Sequence, residues 1–265
     1  MTTPGLSPAL FMSAMVLTLL ASAHPPRAAE KVGAAVDIST RVQGQNGTLS
    51  KGDSIFRDET IRSNASGVGA FIFIDGTKLA VGPNSSVVID EYVFGGGGTV
   101  KKLAIGATKG TLRWISGKSD HKAYRLQTPS GTLGVRGTAF DIYIGPDGVT
   151  AVTLLSGAAD FCNAGGCQTL RRRCDFIIAR PRGDITRPKG IVRNIGIKVN
   201  GSDAFPFLSG KAGLPRGFDI NSTCAGLSGI SPDTPNGNSG GVFNPPAPKN
   251  DNRGGDGPGT DGPKN

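Results

Sequence analysis

Apolar and polar residues alternate in short runs through the middle of the chain, and glycine-rich breaks separate the runs. Residues 32–180 read this way throughout. The run "VGAFIFI" meets "TKLAV" across Asp75-Gly76, a signal for a two-residue hairpin turn. "GPNSS", with Asn84 at its centre, turns the chain into "VVID". Further runs are "VKKLAI", "GTLRWI", "AYRLQT", "TLGVRGTAFDIYI", "VTAVTLL", "AADF" and "CDFIIA". Turn signals divide them at Gly95–Gly98, Ser116-Gly117, Pro129–Gly131, Pro146–Gly148 and Ser156-Gly157. No window keeps a helical period. The pattern predicts an all-β domain over residues 30–180, sandwich- or solenoid-like, made of many short strands.

The two ends read differently. Residues 181–230 are basic and irregular. From Ser231 to Asn265 the chain is Gly, Pro, Asn and Asp with almost no large apolar side chain. Such a segment cannot bury enough surface to offset the entropy of ordering, so 231–265 is expected to be a disordered tail. At the other end, Ala9–Ala23 is apolar but short for a membrane span, and Ala21-Ser22-Ala23 fits a small-x-small cleavage site. Residues 1–23 therefore read as a secretory signal peptide. The n-region carries no Lys or Arg, which keeps a retained anchor as the alternative. The expected location is periplasmic or secreted, with a mature form that does not span the membrane.

Composition adds three points. The 41 glycines and 18 prolines disfavour helical bundles and suit a fold with many turns. A formal charge of +9 makes anionic partners electrostatically reasonable. Four cysteines in an exported chain indicate disulfides: Cys162, Cys167, Cys174 and Cys224. "CNAGGC" folds back over a Gly-rich tip, which favours Cys162–Cys167 and leaves Cys174–Cys224 as a long-range tie. A zinc site fits less well, because no CxxC and no histidine lies near these cysteines. No metal and no cofactor is expected.

Motifs with chemical meaning are few. His24 and His121 do not complete a copper motif. "GNSGG" (237–241) resembles a serine protease nucleophile segment but lies in the tail, where no base is held beside it. "RGD" (182–184) reads as an ordinary turn. "GGGG" (95–98) lacks the Lys-Ser/Thr and helix start of a phosphate loop. The basic residues Arg171, Arg172, Arg173, Arg180, Arg182, Arg187, Lys189 and Arg193 form either a solvated face or a patch for an anionic envelope partner. Nucleic acid is not expected, since no aromatic stacking pattern accompanies them.

Three segments together resemble the FecR domain, the periplasmic sensing domain of iron-citrate-type signalling regulators: "FIDGTKLAVGPNSSVVID" (73–90), "KGTLRWISG" (109–117) and "YRLQTPSGTLGVRGTAFDIYI" (124–144). The resemblance covers roughly residues 60–160. It implies an all-β extracytoplasmic domain that works by protein contacts, without catalysis. The domain begins a few residues after the signal peptide, so a stand-alone form without the anti-sigma and membrane segments of full regulators is expected.

The resemblance places Arg136 at the arginine of "RGT". A charge inside a strand must be paired or solvated. Gly134 and Gly137 remove side chains on both sides, which admits a close backbone or a bulge. Arg136 is therefore expected to be a structural clamp, with Asp75, Asp90 and Asp141 as candidate partners. The functional expectation is a non-enzymatic binding and sensing module of the bacterial envelope, its partner an envelope protein or an anionic envelope polymer. The alternative is a secreted surface or adhesion-type protein with a flexible tail.

Overall fold

Fifteen strands carry the fold of the computed structural model, which describes Met1, residues 29–192 and 194–220, and Cys224, and only the backbone of Arg136. They are β1 (Lys31–Ser39), β2 (Val42–Gly44), β3 (Gly47–Thr48), β4 (Ser54–Phe56), β5 (Thr60–Ser63), β6 (Val68–Phe73), β7 (Lys78–Val81) and β8 (Ser86–Gly96). There follow β9 (Thr99–Ile115), β10 (Tyr124–Thr128), β11 (Gly131–Ile144), β12 (Thr150–Asn163), β13 (Gly166–Leu170), β14 (Asp175–Ala179) and β15 (Lys189–Gly190). Two one-turn helices, α1 (Gly201–Ala204) and α2 (Pro206–Ser209), lie in the segment after the strands.

The main path through the sheet is β15-β14-β12-β11-β10-β9-β7-β6-β1-β4, with β2, β3, β5, β8 and β13 branching from it. Every pairing among the described residues is antiparallel except β9 with β10. One parallel pairing makes no stack of parallel coils, and the described strands form one continuous, branched all-β sheet. The long strands change partners along their length. β9 pairs with β8 and β10 in its first half and with β7 and β11 in its second. Side chains from nearly all strands meet in one core, where Trp114 stacks on Phe140 with ring centroids 6.3 Å apart.

Three local expectations are corrected. "VKKLAI" and "GTLRWI" are one strand, β9, because nothing between them reverses the chain. "VTAVTLL" and "AADF" are likewise one strand, β12, with left-handed Gly157 (φ 79°) absorbed at an irregular register instead of a turn. The β6–β7 hairpin is not a two-residue turn. The Phe73 amide donates to the Thr77 carbonyl and the Gly76 amide to the Phe73 carbonyl, so the loop is Ile74-Asp75-Gly76 with only Gly76 left-handed (φ 83°). The loop gains its extra residue because Asp75 is drawn inward, as described below.

The segment after β15 packs back over the sheet. On the outer face, Ala70 and Ala80 make room for Phe207 and Phe218. Further along the same side, Phe205 meets Phe176 edge-on with centroids 6.1 Å apart. The disulfide Cys174–Cys224 closes a span of 50 residues and ties this strap to the start of β14, while Cys162–Cys167 staples the β12–β13 hairpin.

Candidate functional site

Arg113 and Asp141 form the buried charge pair of the sheet. Their strands β9 and β11 are adjacent, and the two residues stand opposite one another in register. Their neighbours Trp114 and Phe140 point to the main core, so the alternation of a strand sends Arg113 and Asp141 to the outer face. The strap covers that face, leaving Arg113 2% and Asp141 0% exposed. Arg113 Nε donates to Asp141 Oδ1 at 2.6 Å, and Nη2 donates to Oδ2 at 2.7 Å. The guanidinium carbon lies 5.7 Å from the Phe207 ring centre. Burial pushes the Asp141 carboxyl above its ordinary range, while the hydrogen bonds and charge of Arg113 pull it back. The fork geometry satisfies both carboxylate oxygens, which is what a charge in a dry layer requires.

Asp75 is also a buried carboxylate, and no salt bridge joins it to a cation among the described residues. Its side chain accepts from the Thr77 amide at 3.0 Å and from the Thr77, Ser119 and Tyr124 hydroxyls at 2.9, 2.9 and 2.7 Å. It is a turn residue, as expected, and also the anchor that holds the β6–β7 turn against the β9–β10 connection. Asn84 takes the left-handed turn position (φ 54°).

The three proposed partners of Arg136 are thus otherwise placed. Asp141 is taken by Arg113, Asp75 by hydroxyls, and Asp90 is exposed. The side chain of Arg136 lies outside the described residues. Its backbone faces Ala158 on β12. Gly137 is left-handed (φ 61°) and marks a register shift, so the expected bulge is at this glycine. A side chain there would also press on the His121 ring. Gly134 plays no such part: it sits in regular register, and the nearest atom to an added Cβ is 3.8 Å away. Beside this stretch lies a cleft of about 520 Å³, lined by His121, Lys122, Tyr124, Arg125, Val135 and Asp160, among others.

The basic residues divide into groups. Arg171, Arg172 and Arg173 occupy the turn before β14, and Arg180 and Arg182 the turn after it, separated by about 13 Å of strand. Arg187 and Lys189 follow at β15, and all seven are exposed. Arg172 approaches Asp175 at 3.4 Å. The "RGD" tripeptide is a turn, with the Arg180 amide donating to the Asp184 carbonyl at 3.3 Å. Arg193, residues 2–23, where a signal peptide is expected, and the tail 231–265 lie outside the described residues. Among the described residues, no group of His, Cys, Asp and Glu side chains is placed to hold a metal, and no helix is long and apolar enough to cross a membrane.

The sequence reading missed Arg113, Ser119 and Tyr124. A signal for Arg113 was present, since "GTLRWI" holds a charge between Leu112 and Trp114, as "LGVRGTAF" does between apolar flanks. Asp141 was one of three candidate partners for Arg136, and its partner is Arg113. Ser119 and Tyr124 carried no signal, because only the folded β9–β10 connection brings them to Asp75.

Residues 59–160 match the family model described as FecR protein. No curated protein matches the chain. Among solved structures, two crystal structures of a "putative anti-sigma factor" from Parabacteroides distasonis ATCC 8503 are similar at 16% identity, with TM-scores of 0.42 and 0.41. The matches cover 49% of this chain and 59% of those chains.

Proposed function

Taking residues 59–160 as a FecR domain, we propose that this chain is an extracytoplasmic sensing module of the bacterial envelope that acts by binding, with no chemical step of its own. The family match carries the reading. The two disulfides support an oxidising, non-cytoplasmic setting. The partner is an envelope protein or an anionic envelope polymer. Its contacts are assigned to the cleft beside Arg136 and to the arginines flanking β14. The arginines flanking β14 are exposed and positive, while the cleft is mixed in charge, with Lys122 and Arg125 beside Asp120 and Asp160; both lie outside the apolar core. Such contacts steer association and are weakened by salt.

The test is capture from envelope extracts followed by binding of the purified partner. The intact chain is compared with an Arg171→Ser/Arg172→Ser/Arg173→Ser variant and with Arg125→Ala. The reading expects salt-sensitive binding that falls at least about tenfold in one of the variants. Binding indifferent to both sets of changes would contradict it. Retention on cell surfaces through residues 231–265 alone would favour the adhesion-type alternative.

A further inference from the structure

Arg41, Arg62 and Lys109 converge on a small pocket that the function above does not use. Its position follows from the register of four strands. Gln43 on β2 faces Arg62 on β5, Arg62 faces Ser86 on β8, and Ser86 faces Lys109 on β9. Residues on one register line project to the same side of a sheet. Arg62 and Lys109 thus flank one small residue at two strand spacings, about 10 Å. Arg41 enters from the turn before β2, where its carbonyl accepts from the Asn64 amide at 3.2 Å.

The hollow between them is about 200 Å³; besides the three cations it is lined by the amide side chains of Gln43 and Asn64 and by two serines. One of the serines fixes the floor: Ser63 Oγ accepts from the Ser85 amide at 2.9 Å and donates to the Gly82 carbonyl. No carboxylate lines the hollow. None of the three cations makes a salt bridge among the described residues.

Like charges gathered around one hollow repel, and a counter-anion between them removes the penalty. Two guanidinium forks and an ammonium match the oxygens of a tetrahedral anion, while amides and hydroxyls suit a polar substituent and offer an apolar tail nothing. We propose that this pocket binds a phosphate or sulfate group carried on a small soluble molecule. The inference is independent of the sensing role and stands or falls separately from it.

Amide NMR and calorimetry of the intact chain with inorganic phosphate, inorganic sulfate and glycerol 3-phosphate test the proposal. Phosphatidylglycerol vesicles form a separate arm. Saturable shifts at Asn64 and Ser85 are expected with at least one soluble anion, and Arg62→Gln or Lys109→Gln should weaken binding at least about tenfold. In anion-free buffer the same variants should melt no lower than the wild type, because each relieves repulsion. No saturable binding, unchanged affinity in both variants, or a lowered melting point of both in anion-free buffer would overturn the proposal. Binding to vesicles alone would also overturn it, by placing the phosphate on a lipid.

Discussion

Arg113 on β9 and Arg136 on β11 stand in similarly apolar runs on paired strands, yet their surroundings differ. Opposite Arg113 is Asp141, beneath a strap that seals the pair from water. Opposite Arg136 is Ala158, and the next residue is the left-handed Gly137 at an irregular register. Pairing is therefore a property of register and of what covers the outer face. A bulge of one residue changes which side of the sheet a charge meets. Arg113, with its in-register carboxylate, is a clamp. Next to the arginine beside the bulge is Val135, which lines the cleft where partner contacts are proposed.

The largest effect should come from breaking the buried pair on one side. Asp141→Ala leaves a buried guanidinium without its carboxylate and should cost about 3–5 kcal/mol in denaturant unfolding. Replacing both partners, as Arg113→Met with Asp141→Leu, should recover most of that loss, since apolar residues suit a dry layer. A double variant no more stable than the single one would show that the pair matters for something other than mutual neutralisation.

Next in size is the strap's tie. Replacing Cys174 and Cys224 by Ser opens a 50-residue span and should cost about 4 kcal/mol in the loop-entropy picture. Replacing Cys162 and Cys167, which are 5 apart, should cost about 2 kcal/mol. Equal losses would mean that the strap is held by its packing on Phe176, Ala70 and Ala80 more than by the disulfide.

A smaller effect concerns alkaline pH. Burial is the largest cause raising the ionisation of Tyr92, Tyr124 and Tyr143 above its ordinary value. The folded chain then keeps phenolic protons that the unfolded chain releases. The stability this represents is fully present below pH ~10 and is lost as pH rises through the raised values. Ultraviolet titration should show no tyrosine ionising at the ordinary value, and release should coincide with unfolding. A phenol that titrates normally in the folded chain would contradict the burial assigned to it.

The comparison also marks what the sequence could disclose. The runs around Phe71, Leu79 and Phe140 were legible as strands because their alternation is local. The cysteine pairing was legible because the Gly-rich tip of "CNAGGC" lets the chain fold back and bring its two ends together. The joining of "VKKLAI" to "GTLRWI" was not, since a glycine in a strand and a glycine in a turn look alike in a single sequence. Asp141 was legible only as one of three candidate partners for an arginine in a strand, because its register with β9 lies beyond local pattern. The one-turn helices α1 and α2 are too short to show a period. Nothing before folding places Phe207 and Phe218 over the outer face.

Side-by-side denaturant unfolding of Arg113→Ala and Arg136→Ala tests the central claim most directly. The account expects Arg113→Ala to lose about 3–5 kcal/mol and Arg136→Ala about 1 kcal/mol, an ordinary cost for a point substitution. Equal losses, or a larger loss from Arg136→Ala, would contradict the account and return the clamp to the arginine of "RGT".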